Sequence, residues 1–471
     1  MACPVHFLMF DMNHPFKNIA IVTFSLFLTF LLGCATYYQK NYQLQDYIVS
    51  GEFSSAEKLL NKDSKSDKGI NRVLYYMNQG MVNFMLGNYQ KSNFFLNKAD
   101  LYNEDYRSGY GNEALALISN PMIKPYKAED FEAVMVHYYK SLNYLMLNNY
   151  EDALVECRRV NIVLQKLNDK YKKTKNKYSN DAFAHNLMGM IYDASGDKNN
   201  AFIAYRNALE GYEQDYSTLF NLPPPEQLKK DIVRTAYQAG LQQEYQKYSE
   251  KLQLTFNTDS VSDGSLIFLW MNGFGPIKSE WSINFTNAGY NNGWVTFVNE
   301  EYGFDFPIYI GNRKKTEQNA FKNLSFLRIA FPKYVERKPS YQEASILMSG
   351  NDYPLELSQN INAIAFQSLK DRMARELANG IARLVTKKAI ESIANSEDKN
   401  LGSVISIINA ISEKADTRNW QSIPYAIHYS RIPLKAGENE VQLKVKGKKQ
   451  PEQFRFTISK GETKFFTFHQ L

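Results

Sequence analysis

The chain offers few residues in patterns that could do chemistry. Glu129, Asp130 and Glu132 bring three carboxylates within four positions, the residue type a glycan-cleaving enzyme needs as a general acid and base. They would have to converge on a deep pocket to work. His137 and His185 hold equivalent places in a helical pattern, while His428 and His469 lie in strand-like segments, none with Cys or carboxylate at metal-ligand spacing. No metal and no cofactor are therefore expected. Cys157 stands at a large apolar position of a helix and reads as a buried residue. Gly273-Phe274-Gly275-Pro276 starts like a nucleotide-binding loop, but the third glycine is missing and Pro276 does not open a helix, so a tight turn is expected. Lys166, Lys170, Lys172, Lys173, Lys175 and Lys177 form a basic run that reads as a solvated helix end, with anionic lipid or a cell-wall polymer as its functional option and no nucleic acid. No hydrolase elbow, P-loop or zinc-protease helix occurs. Together these residues predict a protein that is not an enzyme.

The amino terminus carries chemistry of another kind. Ile19–Leu32 is an apolar run of fourteen residues behind Lys17, about 21 Å as a helix against a bilayer core of roughly 30 Å. It suits a signal segment better than a stable span. Leu31-Leu32-Gly33-Cys34 resembles the bacterial lipobox. That resemblance implies cleavage before Cys34, acylation of its thiol and a mature protein held on the bilayer by several acyl chains. Ala35, where an aspartate would favour inner-membrane retention, points to the outer membrane and a periplasm-facing location.

Between Tyr37 and Phe256 the sequence repeats. Gly189, Gly196-Asp197, Ala201, Tyr205 and Ala208 follow the tetratricopeptide pattern of a helical hairpin with small residues where its helices touch. Gly80, Gly87-Asn88, Ser92, Leu96 and Ala99 repeat it, as do Ser141, Asn148-Asn149, Ala153 and Cys157, with fainter copies at Gly51 and Gly240. The turn positions are 36, 61, 48 and 44 residues apart, so insertions separate the hairpins. The largest, Asn103–Asp130, contains Pro121 and Pro125 and is expected to cap the stack.

After the polar stretch Asn257–Gly264 the periodicity changes. Ser265–Met271 is a continuous apolar run that suits a buried strand, followed by strand candidates at Trp281–Phe285, Trp294–Val298, Phe306–Ile310 and Phe326–Phe331. Ile361–Ala394 and Leu401–Ala415 carry helical patterns, and period-two alternation returns at Val441–Val445 and Phe454–Ile458. The closing strands are expected to form a small antiparallel sheet that pairs with the strand from Ser265. The expected fold is α+β and multidomain: signal segment 1–33, all-α TPR-like solenoid 34–256, linker 257–264, and an α+β domain 265–471. In the last, strands at 265–356 and 424–470 make a small β-sandwich and helices at 361–415 an inserted hairpin.

Cys34, Glu151–Arg159 (EDALVECRR), Asp181–Asp197, Asn272–Lys278 (NGFGPIK) and Ala415–Pro424 (ADTRNWQSIP) together resemble a family of bacterial tetratricopeptide-repeat-containing lipoproteins, across most of the mature chain. The resemblance implies no activity of its own. Asp416, Arg418 and Trp420 look like its signature at the junction of helix and strand, either a packing corner with a buried Asp–Arg pair or a partner-binding edge. The resulting expectation is a bilayer-tethered scaffold or adaptor in cell-envelope biogenesis, with a protein or peptide in the repeat groove. The alternatives are an envelope enzyme acting on cell-wall glycan and a subunit of a secretion or surface-assembly complex.

Overall fold

The structure is a computed structural model. It describes residues 37–471 except 63, 109–121, 123, 171–177, 258–261, 302, 313–314, 323–325 and 374–414. The signal segment, Cys34, the tip of the 103–130 insertion, the basic run beyond Lys170 and most of the helical stretch expected at 361–415 lie outside the described residues. The chain divides into Met1–Gly51 and Glu52–Leu471. In the first unit, Tyr37–Val49 is a helix.

The second unit begins with the helix Phe53–Lys62, followed by four hairpins. These pair Arg72–Met85 with Tyr89–Ser108, Asp130–Met146 with Tyr150–Lys170, Ala182–Ala194 with Lys198–Gly211, and Glu226–Gln238 with Gln242–Leu252. Each first helix ends the same way. Gly87, Asn148, Gly196 and Gly240 take φ of 75°, 57°, 88° and 71°, a left-handed exit that suits glycine and asparagine. The next N–H then reaches five residues back, as in Asn88 to Asn83 O (2.9 Å), Asn149 to Tyr144 O (2.8 Å), Asp197 to Tyr192 O (2.9 Å) and Leu241 to Ala236 O (3.0 Å).

Inside the hairpins a small residue on the first helix meets a larger one sixteen positions on. Gly80 lies under Leu96 and Gly189 under Tyr205, while Ser141 lies 3.2 Å from Cys157 Sγ. Ser92 and Ser141 also bond across, to Gly80 O (2.7 Å) and Ala153 O (3.0 Å). The hairpins are the tetratricopeptide arrangement that the spacing predicts.

The strands are β1 Gly264–Asn272, β2 Ile277–Asn291, β3 Trp294–Asn299, β4 Phe304–Tyr309, β5 Phe326–Val335, β6 Ala344–Met348, β7 Asn351–Pro354, β8 Glu356–Asn360, β9 Ala426–Leu434, β10 Gly437–Val445, β11 Glu452–Ile458 and β12 Thr463–Gln470. They form three four-stranded sheets, ordered β12-β1-β9-β8, β11-β10-β6-β7 and β4-β3-β2-β5. The first two pack face to face, with Leu266, Phe268 and Trp270 of β1 against Ile346, Val441, Leu443 and Phe456. The third is separate from that sandwich. Its core is Ile283, Phe285, Val295, Phe297 and Phe331, with Phe321 of the helix Lys315–Lys322.

Two features differ from the sequence-based picture. β10 and β11 are antiparallel as expected, but β12 leaves them to join β1 in parallel, so the first sheet is mixed. And residues 257–264 do not divide two independent bodies, because everything from Glu52 to Leu471 is one compact unit. The reason lies in β1. Residues Leu266 to Met271 are all buried, which leaves no solvent face: alternate residues face the second sheet, and the others face the helical repeats.

Candidate functional site

The face of the repeats made by the first helices is where a bound segment would be sought, and the chain's own strands lie on it. By register Arg431 sits opposite Ile267, Tyr429 opposite Leu269 and His469 beside Met271, on the sheet face turned to the helices. His469 packs against Phe84 and Tyr139. Gln359 donates to Asp181, which also accepts from Tyr138, Tyr178 and the Ala184 N–H. Glu356 receives the Glu226 and Gln227 N–H groups (3.1 and 2.7 Å), placing a carboxylate on a helix N-terminus. The helix Asp130–Met146 is enclosed on almost every side. A peptide cannot occupy this face while β1, β9 and β12 do.

Charge fixes the joint. Arg431 of β9 reaches Asp193 (2.8 Å) and Asp231 (3.0 Å), and Arg234 bridges the same two carboxylates at 2.6 and 2.7 Å. Lys198 adds a third cation to Asp193. Burial alone would raise the Asp193 carboxyl, but Arg431 and Arg234 hold it well below the usual carboxylate range.

The candidate residues from the sequence fall into this same interior. Arg418 is 1 % exposed and Trp420 fully buried. Arg418 forms a two-pronged pair with Asp416 (2.9 and 2.7 Å), donates to Asn71 Oδ1 (2.8 Å) and lies over the Tyr126 ring. The Trp420 backbone N–H bonds to Glu132 Oε1 (2.6 Å). Asp416, Arg418 and Trp420 thus form a packing corner, and Arg418 and Trp420 have no surface left for a partner.

The three carboxylates are buried as well. Glu129 pairs with Lys278 (2.7 Å) and Arg372; burial raises its carboxyl, and the two cations together bring it below the ordinary value. Glu132 accepts from Tyr126, the Glu129 N–H and Trp420, and burial, with the Glu129 charge beside it, pushes its pKa up to about 7. Glu129 and Glu132 close a capping box at the start of their helix. A glycan-cleaving pair would need both carboxylates facing substrate, and Glu129 and Glu132 are engaged with their own chain instead.

His137 bonds to Glu156 (2.7 Å) within the repeats, His185 lies beside Asn161, and burial pushes His428 and His469 down to about 4. Burial pushes the Cys157 thiol up to about 12. Among the described residues no group of His, Cys, Asp and Glu could hold a metal ion. Gly273–Pro276 is a turn, in which Gly273 has φ of 62° and the Gly275 N–H bonds to Ile423 O.

Two open features carry no assignment from the sequence. Phe94 and Leu101 on one second helix, and Val155 and Ile162 on the next, are 43–56 % exposed at a spacing of seven. A cleft of about 1050 Å³ also opens between the first two sheets, with His428 among its lining residues. Its residues come from β1, β6, β7, β8, β9 and β10 and from the connections beside them, chiefly 336–343, and no local pattern links them.

No protein-family model and no curated protein matches the chain. Similar solved structures include MamA (18 % identity, 45 % of this chain and 92 % of that one, TM-score 0.29) and BtubC from P. vanneervenii (14 %, 46 % and 78 %, TM-score 0.31). A kinesin light chain of Podosopora anserina with nearly identical TPR-like repeats is also similar (11 %, 46 % and 92 %, TM-score 0.30).

Proposed function

We propose that the protein is a non-enzymatic scaffold that holds a protein partner on the outer, second-helix face of its repeats. The observation that carries this reading is the exposed set Phe94, Leu101, Val155 and Ile162 on neighbouring helices. Arg159–Asp100 and Lys166–Glu104 ion pairs bring those helices side by side. The stack beneath them is locked by the sheet on its other face, so the apolar positions keep a fixed geometry. Basic and acidic residues are balanced on the same two helices, and Lys91, Arg159 and Lys166 are each paired with a carboxylate, so the apolar positions define the face. Acylation at Cys34 and residence on the periplasmic side of the outer membrane complete the reading, and rest on the resemblance to the lipobox.

A photo-crosslinking residue placed at Phe94 or Ile162 in intact cells tests it. The expected result is a discrete protein adduct at both positions that Val155→Glu abolishes. Adducts absent there but present elsewhere on the surface would reject the face. Cys34→Ser should move the protein out of the membrane fraction, and unchanged fractionation would remove the tether. Co-purification of the adduct partner with a multi-component assembly would place the scaffold in a secretion or surface-assembly complex.

A further inference from the structure

In the third sheet, β2 runs from the interior outward. It starts beside Lys278, which is buried on Glu129 and bonded through its N–H to Asn419, and its last four residues, Ala288 to Asn291, are exposed. Asn292 and Gly293, with φ of 46° and 87°, then turn the chain into β3, the two-residue loop that Asn-Gly favours. Three aromatic rings gather at this tip. Tyr290, Trp294 and Tyr309 are 44, 43 and 45 % exposed. Trp294 and Tyr309 lie 5.0 Å apart, and the Tyr309 ring rests on two glycines: a methyl at Gly293 would stand 2.8 Å from its Cε2, and one at Gly311 2.6 Å from its hydroxyl. The rings are therefore held in place without being covered.

Register, ring type and charge narrow what meets them. Residues directly opposite in a sheet share a face. Tyr290 is opposite Val295, on the side of the sheet's core, whereas Trp294 is opposite Tyr309, on the other side. The aromatics thus surround the tip instead of paving one face. A rigid protein partner would meet one face; a fluid interface can close around both. The planes of Trp294 and Tyr309 are inclined by 55°, which gives no flat platform for a sugar ring. Tyrosine and tryptophan, each an apolar body with a polar end, suit the headgroup level of a bilayer. The charge is cationic. Between Tyr309 and Phe326 the sequence holds four bases and one acid. Of these, Lys315 and Lys322 are exposed, and Lys322 Nζ lies 3.7 Å from the centre of the Tyr290 ring. The opposite end of the sheet, between β3 and β4, carries the exposed Glu300 and Glu301. An anionic surface would draw in the aromatic end and repel the other. We propose that this tip seats in the interfacial region of an anionic bilayer, with Tyr290, Trp294 and Tyr309 at headgroup depth and Lys315 and Lys322 against the lipid charge.

Trp294 reports on the contact directly, since Trp270 and Trp420 are fully buried and Trp281 is partly buried. The full chain should be reconstituted with vesicles of phosphatidylcholine, with and without phosphatidylglycerol, whose acyl chains carry bromine as a short-range quencher. Subtracting the spectrum of Trp294→Phe isolates the Trp294 emission, and circular dichroism confirms that each variant is folded. We expect that emission to be quenched in the vesicles containing phosphatidylglycerol. Lys315→Ala and Lys322→Ala should each lower the ratio of quenched to unquenched Trp294 about fivefold, the worth of one lysine at an anionic surface. A tryptophan in place of the exposed Tyr237 of the repeats, in the Trp294→Phe chain, should stay unquenched. The contact does not rest on acylation: fractionation of Cys34→Ser reports on the tether, and quenching of Trp294 on the tip. Unquenched Trp294 overturns the proposal, as does quenching that is equal without phosphatidylglycerol, unchanged in both lysine variants, or matched at Tyr237→Trp. A shift of the Trp294 emission with a soluble anionic polysaccharide but not with vesicles would overturn it in favour of a glycan.

Discussion

Gly189→Ala separates two physical effects by sign. Replacing glycine by alanine within a helix ordinarily stabilises by about 1 kcal/mol, through lower chain entropy in the unfolded state and better helix propensity. Gly189 lies within the helix Ala182–Ala194, so propensity alone predicts a gain. A methyl built there would stand 2.3 Å from Tyr205 Cδ1 and 2.5 Å from Cε1. Restoring ordinary contact, roughly 3.6 Å, requires the ring to retreat by more than an ångström. Tyr205 has nowhere to go, being fully buried with its hydroxyl accepting from Arg431 Nη2 (3.0 Å). Overpacking of this kind costs about 1–3 kcal/mol, and loss of a hydrogen bond from a charged donor about 1.5–3. Against the helix gain, the net expectation is a loss of about 1.5–5 kcal/mol. Urea unfolding measures it, as a lower midpoint with unchanged slope. Gly189→Ala combined with Tyr205→Leu should recover the steric part, giving a coupling energy that the single changes cannot show. A neutral or stabilised Gly189→Ala variant would refute the reasoning, since it would mean that Tyr205 moves freely and the sheet does not hold it.

Arg431→Met should cost about 3 kcal/mol by urea unfolding, at the lower end for a broken buried pair because Arg234 still bridges Asp193 and Asp231; a loss under 1 kcal/mol would show that Arg431 does not hold the joint. Trp420→Ala should destabilise by about 3–5 kcal/mol, as expected for a fully buried indole. Glu132 has a folded pKa raised to about 7 from 4.5, so between those values the folded state holds a proton that the unfolded state lacks. Stability should therefore fall as pH rises from about 5 to 7, by on the order of 3 kcal/mol. Glu132→Gln should remove most of that slope, and identical pH profiles for the two proteins would contradict the assignment. Ile162→Glu, on the exposed helix face, should change stability by less than about 0.5 kcal/mol while removing partner adducts, whereas a marked drop in melting temperature would show that the face is structural.

The sequence alone determined the hairpins, because their signals are local. A left-handed exit needs Gly or Asn, and those residues stand at 51, 87, 148, 196 and 240 with positive φ at each. Close approach of two helices needs a small residue opposite a larger one, and 80 with 96, 141 with 157, and 189 with 205 keep that relation within one hairpin. The strand from Ser265 was legible too, since a run of apolar residues without alternation signals burial on both faces. What covers those faces was not legible. Arg431 meets Asp193 and Asp231 across about two hundred residues of sequence, Trp420 meets Glu132 across 288, and His469 meets Tyr139 across 330. A polar side chain looks alike in sequence whether it faces water or a distant partner. Only the tertiary structure decided that the repeat groove is filled by the chain's own sheet, and that Glu129, Glu132 and the Asp416–Arg418–Trp420 corner serve packing. Burial depends on which distant surfaces meet, and periodicity along a segment records only that a face is buried.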